Sequence, residues 1–285
     1  MNFHERPVVF SCEMHPLVGI ASIPERPSDR GVVIIVGGPQ YRAGSHRQFV
    51  RLARGLANAG FAALRFDRRG MGDSGGEPAS FEFIEADIEA AIVALMASCG
   101  ALRHVVLLGL CDAASAASLY ISRLDERVAG LVLLNPEVRS DQSFARAQVK
   151  HYYARRLFSR QLWSNLIAGK TDPIHSGWEA ARAVLRGFTR LSSPQGGRHS
   201  ADAAYHVRMA HALATFDRPV LVVLSGNDLT ARTFELHTEE AREWHGLLAR
   251  PSVTRRDVEN ADHTFSEHTA RVAVERLIIE WLGTH

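Results

Sequence analysis

Five apolar runs of strand length frame this chain: GVVIIVGG (31–38), FAALRFD (61–67), HVVLLG (104–109), VAGLVLLNP (128–136) and RPVLVVLSGND (218–228). Runs like these suit strands covered on both faces. Between them lie helical patterns: SHRQFVRLARGLANAG (45–60), with Gly60 as candidate C-cap, FEFIEADIEAAIVALMAS (81–98) and DAASAASLYIS (112–122). Strands and helices alternating at this rhythm predict a doubly wound, mostly parallel sheet. Ahead of it, VVFSCEMHPLVGIASIP (8–24) alternates weakly around central turn residues and reads as an antiparallel hairpin. The rhythm fails over 138–216, where helical patterns occur without a buried strand. It resumes at 218; SVTRRDVENADH (252–263) follows, and the amphipathic HTARVAVERLIIEWL (268–282) closes the chain. The expectation is an α/β core of 1–137 and 217–285, with a helical cap inserted over 138–216.

At 285 residues and 46% hydrophobic content, the chain has ample material for one large core plus a cap. A formal net charge of +2 excludes the global basic field of a nucleic-acid binder. Three unpatterned cysteines, Cys12, Cys99 and Cys111, make neither a disulfide framework nor a metal-ligand spacing. The opening MNFHERPVVFSCEMHP lacks the basic-then-apolar pattern of a signal peptide, and no apolar run approaches the roughly 20 residues that span a bilayer. A cytoplasmic protein is expected.

The stretch LLGLCDAAS (107–115) stops a buried strand at a glycine and turns directly into a small-residue helix. A nucleophile on so tight a turn sits in strained backbone, and bulky neighbours two residues to either side would clash. Gly109 and Ala113 meet that requirement around Cys111. The same turn places Cys111 at a helix N-terminus, which favours a thiolate. Asp112 opposes this if its carboxylate points the same way. A cysteine nucleophile needs a base, and the base an orienter, from loops at the carboxyl ends of later strands. Asp228 ends one such strand and His263 follows the next, in NADHTF. His268 is the rival histidine. Cys12 and Cys99 read as structural, Asp67 as a brace for the loop after it, and Ser115 as pointing away from the site.

FDRRGMGDSGG (66–76), GLCDAAS (109–115), SGNDLT (225–230) and ADHTFS (261–266) together resemble the α/β-hydrolase superfamily over most of the chain. Cysteine in place of serine also occurs in its dienelactone-hydrolase-like members. GGPQYRAGSHRQFVRLAR (37–54) and FDRRGMGDSGGE (66–77) are most similar to the first of the two hydrolase types that accompany the exosortase A system of exopolysaccharide-producing bacteria. The resemblance implies a cytoplasmic hydrolase and leaves its substrate open. One departure concerns the oxyanion hole. The stretch VGGPQ puts Pro39, which has no N–H, after Gly38. The expected donors are the backbone of Asp112 and that of Gln40, with side chains of Gln40 or Tyr41 as alternatives.

The expected protein is therefore an esterase or thioesterase with a Cys111–His263–Asp228 triad, requiring neither metal nor organic cofactor. An acyltransferase using the same acyl-cysteine, and a catalytically silent binding protein of this fold, are the rival readings. Between Arg146 and Lys170 the cap carries Lys150, Arg155, Arg156 and Arg160 interleaved with Tyr152, Tyr153, Phe158 and Trp163, and no acidic residue. That segment is either a solvated basic face or a lid for an anionic carrier, such as an acyl-CoA, an acyl carrier protein or an anionic membrane surface.

Overall fold

The structure, a computed structural model, describes residues 2–38, 40–138 and 204–285. The basic, aromatic stretch 146–170 and most of the expected cap lie outside the described residues, as does Pro39. Residues 2–138 and 204–285 form one compact unit.

Its centre is an eight-stranded sheet in the order β1-β2-β4-β3-β5-β6-β7-β8. β1 (Phe3–Cys12) and β2 (His15–Pro24) make the expected antiparallel hairpin, and β2 runs antiparallel to β4 (Ala62–Phe66). From there β3 (Arg30–Ile35), β5 (His104–Leu110), β6 (Val128–Leu134), β7 (Val220–Ser225) and β8 (Val253–Val258) are all parallel. The sheet is mostly parallel and wound on both faces, as the run-and-helix rhythm predicts.

Strand alternation divides the core in two. Val33, Ile35, Val105 and Leu107 face one side, where they meet α2 (Glu85–Ser98), α3 (Asp112–Tyr120), α4 (Tyr205–Thr215) and α5 (Leu229–Glu240). Val32, Ile34, Val106 and Leu108 face the other, against α1 (Gln48–Asn58) and α6 (His268–Thr284). Leucine and isoleucine on central strands are near-completely buried, each worth about 1.5–3 kcal/mol on removal from water. Helix α4 lies within the span expected for the cap and packs directly on α3 of the core unit.

Where β5 meets α3 the packing is closest. A Cβ on Gly109 would lie 2.4 Å from the Ala113 carbonyl carbon and oxygen and 2.5 Å from the Ala114 nitrogen, all of them backbone. Gly109→Val is therefore expected to destabilise the fold by about 3 kcal/mol, because helix α3 must move off the strand. Urea unfolding checks this. Gly100→Ala, whose Cβ meets nothing within 4 Å, is the control and should stay within about 0.5 kcal/mol of the parent. Equal midpoints for both variants would remove the steric account of the turn.

Candidate active site

Cys111 occupies the turn between β5 and α3 with φ 62° and ψ −125°, a conformation that side chains rarely adopt. Neighbouring elements hold it there. Its N–H donates to the Leu134 carbonyl (2.9 Å), and its own carbonyl accepts from Ala114 (3.0 Å), Ser115 (3.2 Å) and Glu137 (3.3 Å). The strain projects the thiol out of the sheet's carboxyl edge, into a cavity of about 290 Å³. Gly38, Gln40, Asp112, Glu137 and His263 line the same cavity. Cys12 and Cys99 are buried elsewhere, and burial pushes the Cys12 thiol up to about 11. Ser115 is fully buried, its hydroxyl donating to the Glu137 carbonyl at 2.6 Å, so it faces away as expected.

Asp228 lies just past β7 and caps α5. Its carboxylate accepts from Thr230 N–H (3.2 Å) and Ala231 N–H (3.0 Å), which fixes its rotamer. That leaves Oδ2 2.8 Å from Nδ1 of His263, on the loop after β8. Asp228 is 7% exposed, and the His263 side chain 34%. The hydrogen bond to Asp228 first, and Cys111 second, push the imidazole up to about 10 against the opposing effect of burial. His268 instead opens α6 and contacts Arg271.

The carboxylate of Asp112 turns away from the thiol, and both its oxygens lie 2.9 Å from the Gly38 N–H. The close approach depends on Gly37, where a Cβ would lie 2.1 Å from Asp112 Oδ1. Gly38 thus spends its N–H on Asp112 rather than on a substrate, while Asp112 and Gln40 themselves line the cavity. The side-chain oxygen of Gln40 accepts from Ser45 N–H (3.2 Å). Tyr41 is 53% exposed and does not line the cavity. Asp67 is buried and braces its loop, accepting from Arg42 and from the Asp73 N–H (3.0 Å).

Three residues enter that sequence reasoning did not single out. Asn135, fully buried just past β6, donates to Ser225 Oγ (2.8 Å) and to the His263 carbonyl (2.9 Å) and accepts from Ser225 N–H (2.8 Å). It joins the end of β7 to the loop after β8. Arg68 donates to the Gly38 carbonyl (3.1 Å) and steadies the loop after β3. Glu137 places a carboxylate oxygen 3.8 Å from the Cys111 sulfur. An acidic residue at the carboxyl end of β6 occupies the same kind of position as Asp228 at the end of β7, and that placement was the available signal.

The Alpha/beta hydrolase family matches residues 32–276. No curated protein matches the chain. Among solved structures, an esterase of Pyrococcus furiosus is similar at 17% identity with a TM-score of 0.66, covering 99% of this chain and 91% of that one. The esterase Est1E of Butyrivibrio proteoclasticus, solved with ferulic acid bound, is similar at 15% identity with a TM-score of 0.60, over 97% of this chain and 99% of that one. A thermophilic esterase of Thermogutta terrifontis, malate bound, is similar at 20% identity with a TM-score of 0.58, over 98% of both chains. Among the described residues no helix is long and apolar enough to cross a membrane.

Proposed function

The chain belongs to the alpha/beta hydrolase family, and from that premise we propose that it hydrolyses an ester or thioester through an acyl-Cys111 intermediate. The observation that carries this reading is the strained turn. It holds the thiol in a cavity beside an imidazole that Asp228 keeps charged. Strain at one residue of a close-packed strand–helix junction persists only where the surroundings enforce it.

The geometry supports a sequence of steps. The proton that leaves Cys111 is held on the imidazole, whose charged form Asp228 favours. Cys111 Sγ attacks the carbonyl carbon, and the Asp112 and Gln40 N–H groups receive the oxyanion. The imidazolium protonates the leaving alkoxide or thiolate as the tetrahedral species collapses. Having given its proton to the leaving group, His263 is then neutral beside the thioester. The neutral ring can now take a proton from water, which attacks the acyl carbon and releases the acid. Asp228 holds Nδ1–H throughout, keeping Nε2 for the reacting groups. None of these steps requires a metal or organic cofactor.

The esterases of similar fold make simple esters and thioesters the first substrates to try. Presentation on CoA or an acyl carrier protein, a place in exopolysaccharide assembly beside an exosortase, and a cytoplasmic setting extend the proposal. They rest on the motifs of 37–54 and 66–77 and on the basic segment 146–170.

The test is iodoacetamide labelling against pH, mapped by mass spectrometry, alongside turnover of an aryl ester and an acyl thioester. Cys111 should label rapidly at pH 6, well ahead of Cys12 and Cys99. His263→Ala should return it to the profile of an ordinary thiol, with a midpoint near ~8.5. Turnover should fall as pH rises through about 10, where His263 loses its proton. Slow, equal labelling of all three cysteines with no turnover would overturn the reading.

A further inference from the structure

Away from the cavity, three side chains from three elements converge. His206 is the second residue of α4, His237 sits in the last turn of α5, and Glu243 lies in the single turn Arg242–Trp244. One ligand-capable atom from each lies within 4.8 Å of the others. The two imidazoles meet edge to face, with centroids 4.8 Å apart. Nδ1 of His206 and Nε2 of His237 are both buried without a hydrogen-bond partner, and His237 is only 7% exposed.

We propose that His206, His237 and Glu243 bind a zinc ion. Unpartnered buried ring nitrogens are costly, at about 1–3 kcal/mol each, and a cation accepting both lone pairs removes that cost. Two imidazoles and a carboxylate suit zinc, while magnesium and calcium prefer all-oxygen sets. Tetrahedral bonds of about 2.0–2.1 Å put ligand atoms about 3.3 Å apart, so each atom moves inward by about 1 Å. A water completes the fourth position. The ion is structural. His237 lies about two and a half turns along α5 from the Asp228 cap, well away from the thiol. It fastens α4, the first described helix after residue 203, to the helix that carries the triad acid.

The test uses the full-length chain carrying Cys111→Ala, so that the site thiol does not compete for metal. After chelator treatment it is titrated with zinc chloride by calorimetry, while tryptophan fluorescence is followed; the Trp244 ring lies 6.4 Å from that of His237. One zinc per chain is expected, with a rise in Tm and a change in tryptophan emission. Glu243→Gln and His206→Gln, each checked by circular dichroism, should weaken binding at least about tenfold, while His245→Gln beside them should not. Absence of stoichiometric binding overturns the proposal. So does affinity unchanged in both ligand variants, or lost equally in His245→Gln.

Discussion

Cys111→Ala should abolish hydrolysis and leave the fold standing, whereas Cys111→Gly should abolish hydrolysis and make the protein more stable. Loss of the nucleophile should lower kcat/KM by about 10⁴-fold or more, since only binding and the oxyanion donors remain. Alanine keeps a Cβ at φ 62° and ψ −125°, so the strain remains and stability changes little. Glycine adopts positive φ freely. Relief of a strain of about 1–3 kcal/mol outweighs its larger entropy loss on folding, for a net gain of about 1 kcal/mol. The two variants separate chemistry from conformation with one assay and one denaturation curve. Residual activity above a few per cent in either would mean that another group attacks. Ser115 is no candidate, being fully buried with its hydroxyl on the Glu137 carbonyl. A glycine variant less stable than alanine would show that the turn carries no strain.

The parts of this site that sequence discloses are those set by local geometry. Apolar runs of strand length announce the buried strands because a two-sided sheet leaves them no polar face. Gly109 announces the turn because its size limit comes from backbone only four and five residues further along the chain. Asp228 and His263 are legible because a parallel sheet brings the carboxyl ends of its strands to one edge. Contacts decided by side chains distant in sequence are not legible. Asp112 reads as a hazard to a thiolate until the fold carries Gly38 against it, 74 positions earlier in the chain. Asn135 looks like a strand-ending turn residue, yet it bonds across 90 positions to Ser225 and across 128 to His263. Glu137 reaches Cys111 only because β5 and β6 are neighbours. His206, His237 and Glu243 have no motif spacing at all; three separately formed elements assemble them.

Asp228→Asn should lower kcat by about 10²–10⁴-fold and move the alkaline limb of the pH profile well below 10. The carboxylate has three donors to satisfy: Thr230 N–H on Oδ1, and Ala231 N–H and His263 Nδ1 on Oδ2. An amide cannot serve all three. With its oxygen toward His263 and Ala231, the NH₂ confronts the Thr230 N–H. Flipped, the NH₂ confronts Nδ1 and forces the proton onto Nε2, the wrong tautomer for a base. Either orientation removes the carboxylate charge that helps raise His263. In the parent the folded pKa lies above the unfolded one. Its contribution to stability is therefore complete below about 6.5 and disappears as pH rises towards about 10. In the variant that contribution shrinks, so parent and variant should differ most in Tm between about pH 5 and 6.5 and converge as pH rises towards about 10. Asp262→Asn is the control: its carboxylate serves Ser266 rather than His263, and its profile should match the parent. Should Asp228→Asn keep the parental limb and rate, the orienting acid lies elsewhere. Glu137, at the end of the adjacent β6, is then the residue to replace next.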